Sequence, residues 1–413
     1  MGKLVGISAD YNATRYSFQR KSFYAAGRFW VFYSDGTNMV YKTSTDGITW
    51  VGPTTIRTCA SGRYFSIWFD ETFLHYAYST GINAPLYYRR GTPESDGTIT
   101  WSAIEQTAVA AVAFITYTHP FVSVDSDGHA WIGYRRVDVS AYPWVQSSYV
   151  TMSGNTDGTW GATPGGFPYS FPPIAGKNST ISIIPLTDNK MLAVYIYNQD
   201  EQVRANLWNG TAWEGNVLTS STVNALLYFS AVAEGDDVHL VFTSASNRLI
   251  YAKYDYSSNS FTGEILLTGT YTLAPSVISI NENNNLYIFW GGYPETNTLY
   301  YLTYTAETST WGSVVKWKLE EKLSAYSLTC FYKQYTGYTG LAYTTNPFPS
   351  PSYNVKFNYI ALPPPISRSV NTLLVSGSRH TTPEEGSIGT VQSFNGTRIS
   401  RHITWVPVII TKA

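Results

Sequence analysis

The sequence predicts an all-β chain: a seven-bladed β-propeller of four-stranded antiparallel blades, with a C-terminal β-rich extension. Three observations predict it. An Asp–Gly turn followed by an aromatic residue recurs at a period near 50 residues. Each period repeats the same order of short strands. No segment carries the 3.6-residue apolar periodicity of an amphipathic helix.

The clearest copy of the turn is Ser44-Thr45-Asp46-Gly47-Ile48-Thr49-Trp50, and a second is Ser95-Asp96-Gly97-Thr98-Ile99-Thr100-Trp101. Eroded copies run through Asp157-Gly158-Thr159-Trp160 and Asn209-Gly210-Thr211-Ala212-Trp213, and two more end at Phe261 and Trp311. The closing aromatics at 50, 101, 160, 213, 261 and 311 are spaced by 51, 59, 53, 48 and 50 residues. Short strands at such a period point to radial repetition of small sheets.

Within a period, a β-rich run such as Phe121–Asp125 leads through Ser126-Asp127-Gly128 to an aromatic strand, Ala130–Tyr134. The counterparts of that second strand are Phe29–Tyr33, Phe73–Tyr78, Met191–Tyr197, Val238–Thr243, Leu286–Trp290 and Thr339–Thr344, which makes seven. A third strand precedes the Asp–Gly turn, and the Trp opens a fourth. The charged run Lys316–Lys322 is read as at most one helical turn. The seventh period has three strands and then Pro363-Pro364-Pro365. Leu4–Ser8 is expected to supply its missing strand and close the ring. The expected organisation is therefore residues 1–16 as the closing strand, 17–365 as the propeller, and 366–413 as a β-rich arm or docking segment. That arm holds five basic residues against two acidic ones, so the propeller itself is acidic.

Composition bounds the function. Charged residues are 13% of the 413, against roughly 25% in an ordinary domain, and 27 basic residues balance 28 acidic ones. Nucleic-acid binding needs a basic field and is not expected. The 44% hydrophobic content excludes disorder. No apolar run approaches a membrane span, and Met1–Asp10 lacks a signal-peptide pattern. Cys59 and Cys330 fall in distant repeats and are expected as free thiols. The six His form no ligand cluster, so no metal or other cofactor is expected.

The Ser-x-Asp-Gly-x-Thr-Trp turn resembles the Asp-box, the bacterial neuraminidase repeat of sialidase-like propellers. The resemblance implies that Asp46, Asp96 and Asp157 are structural turn residues and that Trp50, Trp101 and Trp160 pack between sheets. It implies the propeller but not the activity. The early Arg-Ile-Pro of sialidases is absent from Ser17-Phe18-Gln19-Arg20-Lys21-Ser22-Phe23, and no Glu–Tyr catalytic constellation can be assigned. Glycoside hydrolysis needs paired carboxylates. Asp138, Asp200, Glu201 and Glu295 lie in loops, and no pattern pairs them. His119 and His129 fall at opposite ends of one strand. His75 and His239 lie within second strands, which points to the core. Asp125–Gly128 reads as a hairpin turn rather than a calcium loop.

A binding face is better supported. Starts of inner strands line the channel mouth, and here they carry Arg20 and Lys21, Arg63 and Tyr64, Tyr117 and His119, then Lys177 and Asn178. The loop Arg135–Trp144 adds Arg135, Tyr142 and Trp144. Rings can stack on sugar faces and Arg can grip a carboxylate. The reading is a non-catalytic, surface-exposed propeller that binds a cell-surface or polymeric glycan or a protein partner. The Asn-, Ser-, Thr- and Tyr-rich surface without a visible leader suits an extracellular or virion-surface component, with residues 366–413 serving a homo-oligomer or larger assembly. The alternative is a glycoside hydrolase or polysaccharide lyase using the same mouth.

Overall fold

The computed structural model describes residues 1–172, 178–197, 201–223, 228–268, 277–291, 295, 297–320, 322–347 and 352–362. The chain divides into a unit Met1–Ile366 and a unit Ser367–Ala413, and every described residue belongs to the first. The expected arm at 366–413 and the candidate Lys177 lie outside the described residues.

Seven antiparallel sheets form a propeller. Their inner strands are Ser22–Ala25, Phe65–Phe69, Ile115–Val124, Ser179–Pro185, Phe229–Glu234, Val277–Ile280 and Leu323–Cys330. Each is followed by an antiparallel second and third strand, and the only helical element among the described residues is the 3-10 turn Gly62–Tyr64. Middle strands are sandwiched between neighbouring blades, so they bury both faces and read as continuous apolar runs. Met191–Tyr197 is buried at every position. The outer strand Val51–Thr58 is largely exposed. The run at Lys316 is not helical: Val315–Leu319 pairs with Thr298–Thr305 as an outer strand, where the alternation of Val315, Trp317 and Leu319 with lysines fits a half-exposed edge.

The recurrent turns hold their backbone through a carboxylate. Asp46 Oδ1 accepts from the backbone N–H of Ile48 (2.7 Å) and Thr49 (2.8 Å) and from Ser44 Oγ (2.8 Å). These donors hold the Asp46 carboxyl down at about 2. Asp96 and Asp157 accept in the same way from Thr98 and Thr159. The following aromatics bridge to the preceding blade. Trp50 meets Phe357 at 5.4 Å between ring centroids, Trp160 meets Tyr88 at 5.2 Å, and Trp311 meets Tyr251 at 4.9 Å. Trp101 packs within its own blade on Tyr76 at 5.7 Å.

Lys3–Ser8 pairs antiparallel with Tyr353–Ala361, from Lys3 opposite Phe357 to Ser8 opposite Tyr353, as the outer strand of the seventh blade. A buried polar knot sits at this closure. Glu320 accepts from Lys356 Nζ (3.1 Å), the Tyr343 hydroxyl (2.8 Å) and the Gly2 backbone N–H.

Residues 9–21 then turn inward and bond to the inner strands. Thr14 Oγ1 donates to the Ser327 carbonyl (2.7 Å), Ser17 Oγ to Phe229 (3.0 Å), and Gln19 Nε2 to Pro120 (2.8 Å). Thr329 Oγ1 donates to the Gln19 carbonyl (2.7 Å). The start of the first blade thus carries a polar plug. The buried side chains of Thr14, Ser17, Gln19, Arg20 and Lys21 each find a backbone carbonyl, as burial of a donor demands.

Candidate functional site

Arg63 and Tyr64 sit on the 3-10 turn just ahead of the second blade's inner strand. That turn touches the plug. A Cβ on Gly62 would come within 2.3 Å of the Asn12 and Ala13 carbonyls, so only glycine permits this approach. In the third blade the inner strand begins at Ile115, earlier than the sequence pattern predicts. Its register slips between Thr118 and Phe121, and His119 occupies the slip with φ of +55°. This left-handed conformation is uncommon for a non-glycine residue. Arg135 follows on the next strand, two residues beyond the Gly133 that pairs with Phe121.

These elements enclose a cleft of about 250 Å³, lined among others by Arg63, Tyr64, His119, Arg135, Trp144 and Asn178. Six of the predicted mouth residues therefore meet in one place, at the junction of the second, third and fourth blades. His119 is buried. Its Nδ1 lies 2.9 Å from Thr118 Oγ1, and its Nε2 lies 2.9 Å from the Tyr16 hydroxyl. The Arg15 guanidinium lies 4.1 Å over the Tyr16 ring. Arg63 Nη2 donates to the Tyr64 hydroxyl at 3.0 Å.

The electrostatics are one-sided. Burial first, then Arg135, Arg15, Arg63 and Lys21, depresses the His119 imidazole well below its ordinary value, so it is neutral. Burial, with Arg63 and Arg15 adding to it, brings the Arg135 guanidinium down to about 10, which leaves it charged. No Asp or Glu occurs among the described lining residues. The Nε atoms of Arg63 and Arg135 are buried without a hydrogen-bond partner among the described residues. Such a site can hold a carboxylate or sulfate by charge-assisted, forked hydrogen bonds. Its described lining holds no carboxylate pair for hydrolysis.

Other predicted mouth residues lie elsewhere. Arg20 is buried between inner strands: Nη2 donates to the Ala231 carbonyl (2.9 Å), and Nη1 to the Ile278 carbonyl (3.2 Å) and Cys330 Sγ (3.0 Å). Lys21 is buried too. Its ammonium donates to the Gly62 carbonyl (2.8 Å) and to the Phe65 carbonyl, and burial lowers its pKa well below the usual lysine range. Both belong to the plug, because inward carbonyls at strand starts recruit cations. Tyr117 is buried, with its hydroxyl donating to Ala110 at 3.2 Å. Tyr142 stands on the exposed loop beside Trp144 and does not line the cleft. The sequence reading missed Arg15 and Tyr16, assigning them to the closing strand. The run Tyr11–Lys21, with no Gly or Pro, was a signal against an ordinary loop.

A second cavity, about 550 Å³, opens where the inner strands end, lined by residues including Trp68, Asp70, Phe73, Asp125, Asp127 and Tyr332. Its carboxylates are engaged. Asp70 accepts from the N–H of Thr72 and Phe73 and contacts His75 Nε2 at 3.0 Å. Asp125 accepts from His129 N–H and from Trp131 Nε1, both at 2.8 Å, which makes Asp125–Gly128 a capped hairpin turn. His75 and His239 are core residues on second strands. Each bonds a carboxylate, Asp70 or Glu234, through Nε2 and a tyrosine, Tyr88 or Tyr251, through Nδ1. Cys59 and Cys330 are buried free thiols.

No family model and no curated protein matches the chain. Solved structures share its fold. An ulvan lyase assigned to a new polysaccharide lyase family is 9% identical with a TM-score of 0.58, covering 87% of this chain and 96% of the lyase. A second polysaccharide lyase is 10% identical with a TM-score of 0.51, covering 84% and 90%. The six-bladed, fucose-recognising lectin of Aleuria aurantia is 13% identical with a TM-score of 0.44, covering 76% and 98%. At these identities the likeness concerns the fold.

Proposed function

We propose that this propeller binds an acidic glycan in the cleft between its second and third blades. The observation that carries the reading is the pair of guanidinium groups, Arg63 and Arg135, in a cleft whose described lining holds a neutral His119 and no carboxylate. A uronate carboxylate or a sugar sulfate supplies the opposite charge that the described lining does not. Tyr64 and Trp144 offer rings beside it for a pyranose face. The lyase likeness supports this reading: one such structure holds a glucuronate–sulfated rhamnose ligand. The Asp46, Asp96 and Asp157 turns, which resemble Asp-boxes, are scaffold in this reading. A glycan-binding propeller suits the extracellular or virion surface that its composition suggests.

The test is a binding panel of ulvan, chondroitin sulfate, alginate and neutral polysaccharides. Acidic polymers should bind and neutral ones should not. Arg63→Met, Arg135→Met and the exposed-site variant Trp144→Ala should each weaken binding at least about tenfold while keeping the native circular dichroism spectrum. Unchanged binding in all three variants, or preference for neutral polymers, overturns the reading.

A second reading, β-elimination, is favoured by one contact: His119 Nε2 lies 2.9 Å from the Tyr16 hydroxyl. A lyase removes the proton α to a uronate carboxylate. The C–H electron pair becomes a C=C bond, the glycosidic C–O bond breaks, and a proton goes to the departing oxygen. Arginines that neutralise the carboxylate acidify that C–H, and a neutral imidazole–phenol pair can move the proton. Growth of ultraviolet absorbance from the unsaturated uronate on incubation with ulvan or alginate would establish it. Its absence with bound polymer would leave a lectin.

A further inference from the structure

Beside the cleft, three loops are stitched together. The Asn83 N–H donates to the Ile115 carbonyl (3.0 Å), the Phe114 N–H to Asn83 Oδ1 (2.8 Å), and the Val139 N–H to the Phe114 carbonyl (2.9 Å). Large apolar side chains stand out from them: Phe114 is 60% exposed, Tyr142 90%, Ile82 61% and Trp144 52%. Ile82 and Trp144 also line the cleft, so the exposed surface is continuous with it. Phe114 holds φ of +62° and Asn83 +58°. A bulky residue in the left-handed region is costly, and here burial does not compensate it. Large exposed apolar residues gathered on loops that are bonded to one another mark a contact surface.

We propose that this surface is a shelf on which further sugar rings of a bound chain lie, so that the cleft takes an internal stretch of an acidic polysaccharide rather than a terminal sugar. The inference rests on the acidic-glycan reading of the cleft. The occupant follows from that continuity: a chain anchored by one acidic residue between Arg63 and Arg135 leaves the cleft across Ile82 and Trp144. The rings beyond them offer apolar faces of the size that aromatic side chains cover.

Calorimetry with glucuronate, then with ulvan and chondroitin sulfate fragments of increasing length, tests the shelf. The unmodified protein should bind long fragments roughly tenfold or more tighter than the shortest that binds, as expected from covering one exposed apolar side chain. The double variant Phe114→Asn/Tyr142→Ser should lose that gain while binding the shortest fragment as before. Asn tolerates the left-handed backbone, so the loop is kept. A length gain that survives the double variant, or no gain in the unmodified protein, overturns the shelf and leaves the cleft reading intact. Failure of every acidic fragment overturns both. Sedimentation velocity is run alongside: self-association lost in the double variant would make the shelf a protein contact and overturn the proposal.

Discussion

The Arg20 guanidinium and the Cys330 thiol meet between the inner strands, with Nη1 3.0 Å from Sγ. The same guanidinium donates to carbonyls of the fifth and sixth blades, Ala231 and Ile278. One side chain ahead of the first blade thus ties together inner strands that belong to separate sheets. Arg20→Met should lower unfolding stability by about 3 kcal/mol, from buried acceptors left unpaired at roughly 1 kcal/mol or more each. Arg20→Lys should recover little, since an ammonium lacks the planar fork. Denaturant melts of the two variants check this, and Lys rescuing most of the loss would count against the fork.

Burial pushes the Cys59 and Cys330 thiols up to about 11. Both should therefore resist alkylation at neutral pH, because the thiolate is the nucleophile. Labelling should proceed only as fast as the protein opens, and Arg20→Met should accelerate it at Cys330. Mass spectrometry of pulse-labelled protein reads both sites. Fast labelling of the native protein would refute the buried placement.

The ring closure predicts an asymmetric pair of mutants. Glu320 and Lys356 are buried and 3.1 Å apart. Lys356→Met leaves the carboxylate uncompensated and should cost about 3–5 kcal/mol, whereas Glu320→Gln/Lys356→Met should cost much less. Thermal unfolding of the single and double variants gives the comparison. Equal losses would mean that the charges do not act as a pair.

The blades were legible because periodicity survives sequence erosion. Each blade needs the same turn and the same doubly buried second strand, so tokens such as Asp46–Trp50 and strands such as Met191–Tyr197 announce themselves. The plug was not legible. Thr14, Gln19, Arg20 and Lys21 are polar and look like a solvated rim, yet each is buried because distant inner-strand carbonyls receive its donors. Non-local pairing of that kind leaves no local pattern. The cleft was half legible. Arg63, Tyr64, His119, Arg135 and Trp144 follow from strand starts and one loop. Arg15 and Tyr16 arrive only through the path of the plug.

Acid should destabilise the protein in two steps. His75 and His119 are buried and their pKa values are depressed below 6.5, by burial first in both. Asp70 opposes the shift at His75, while Arg90 adds to it, and four cations add to it at His119. Below pH 6.5 the unfolded chain binds protons that the folded protein does not. Their contribution is thus complete above 6.5 and declines as pH falls through that value, by up to about 1.4 kcal/mol per pH unit for each histidine. Asp70 acts in a lower window: its folded pKa is below 3.8, so its stabilisation is lost only as pH falls beneath that. Denaturant melts across this range should give a slope between the two windows that His75→Gln and His119→Gln each reduce by up to half. A slope unchanged in both variants would mean that these histidines are protonated in the folded protein, and the neutral imidazole in the cleft would fall with them.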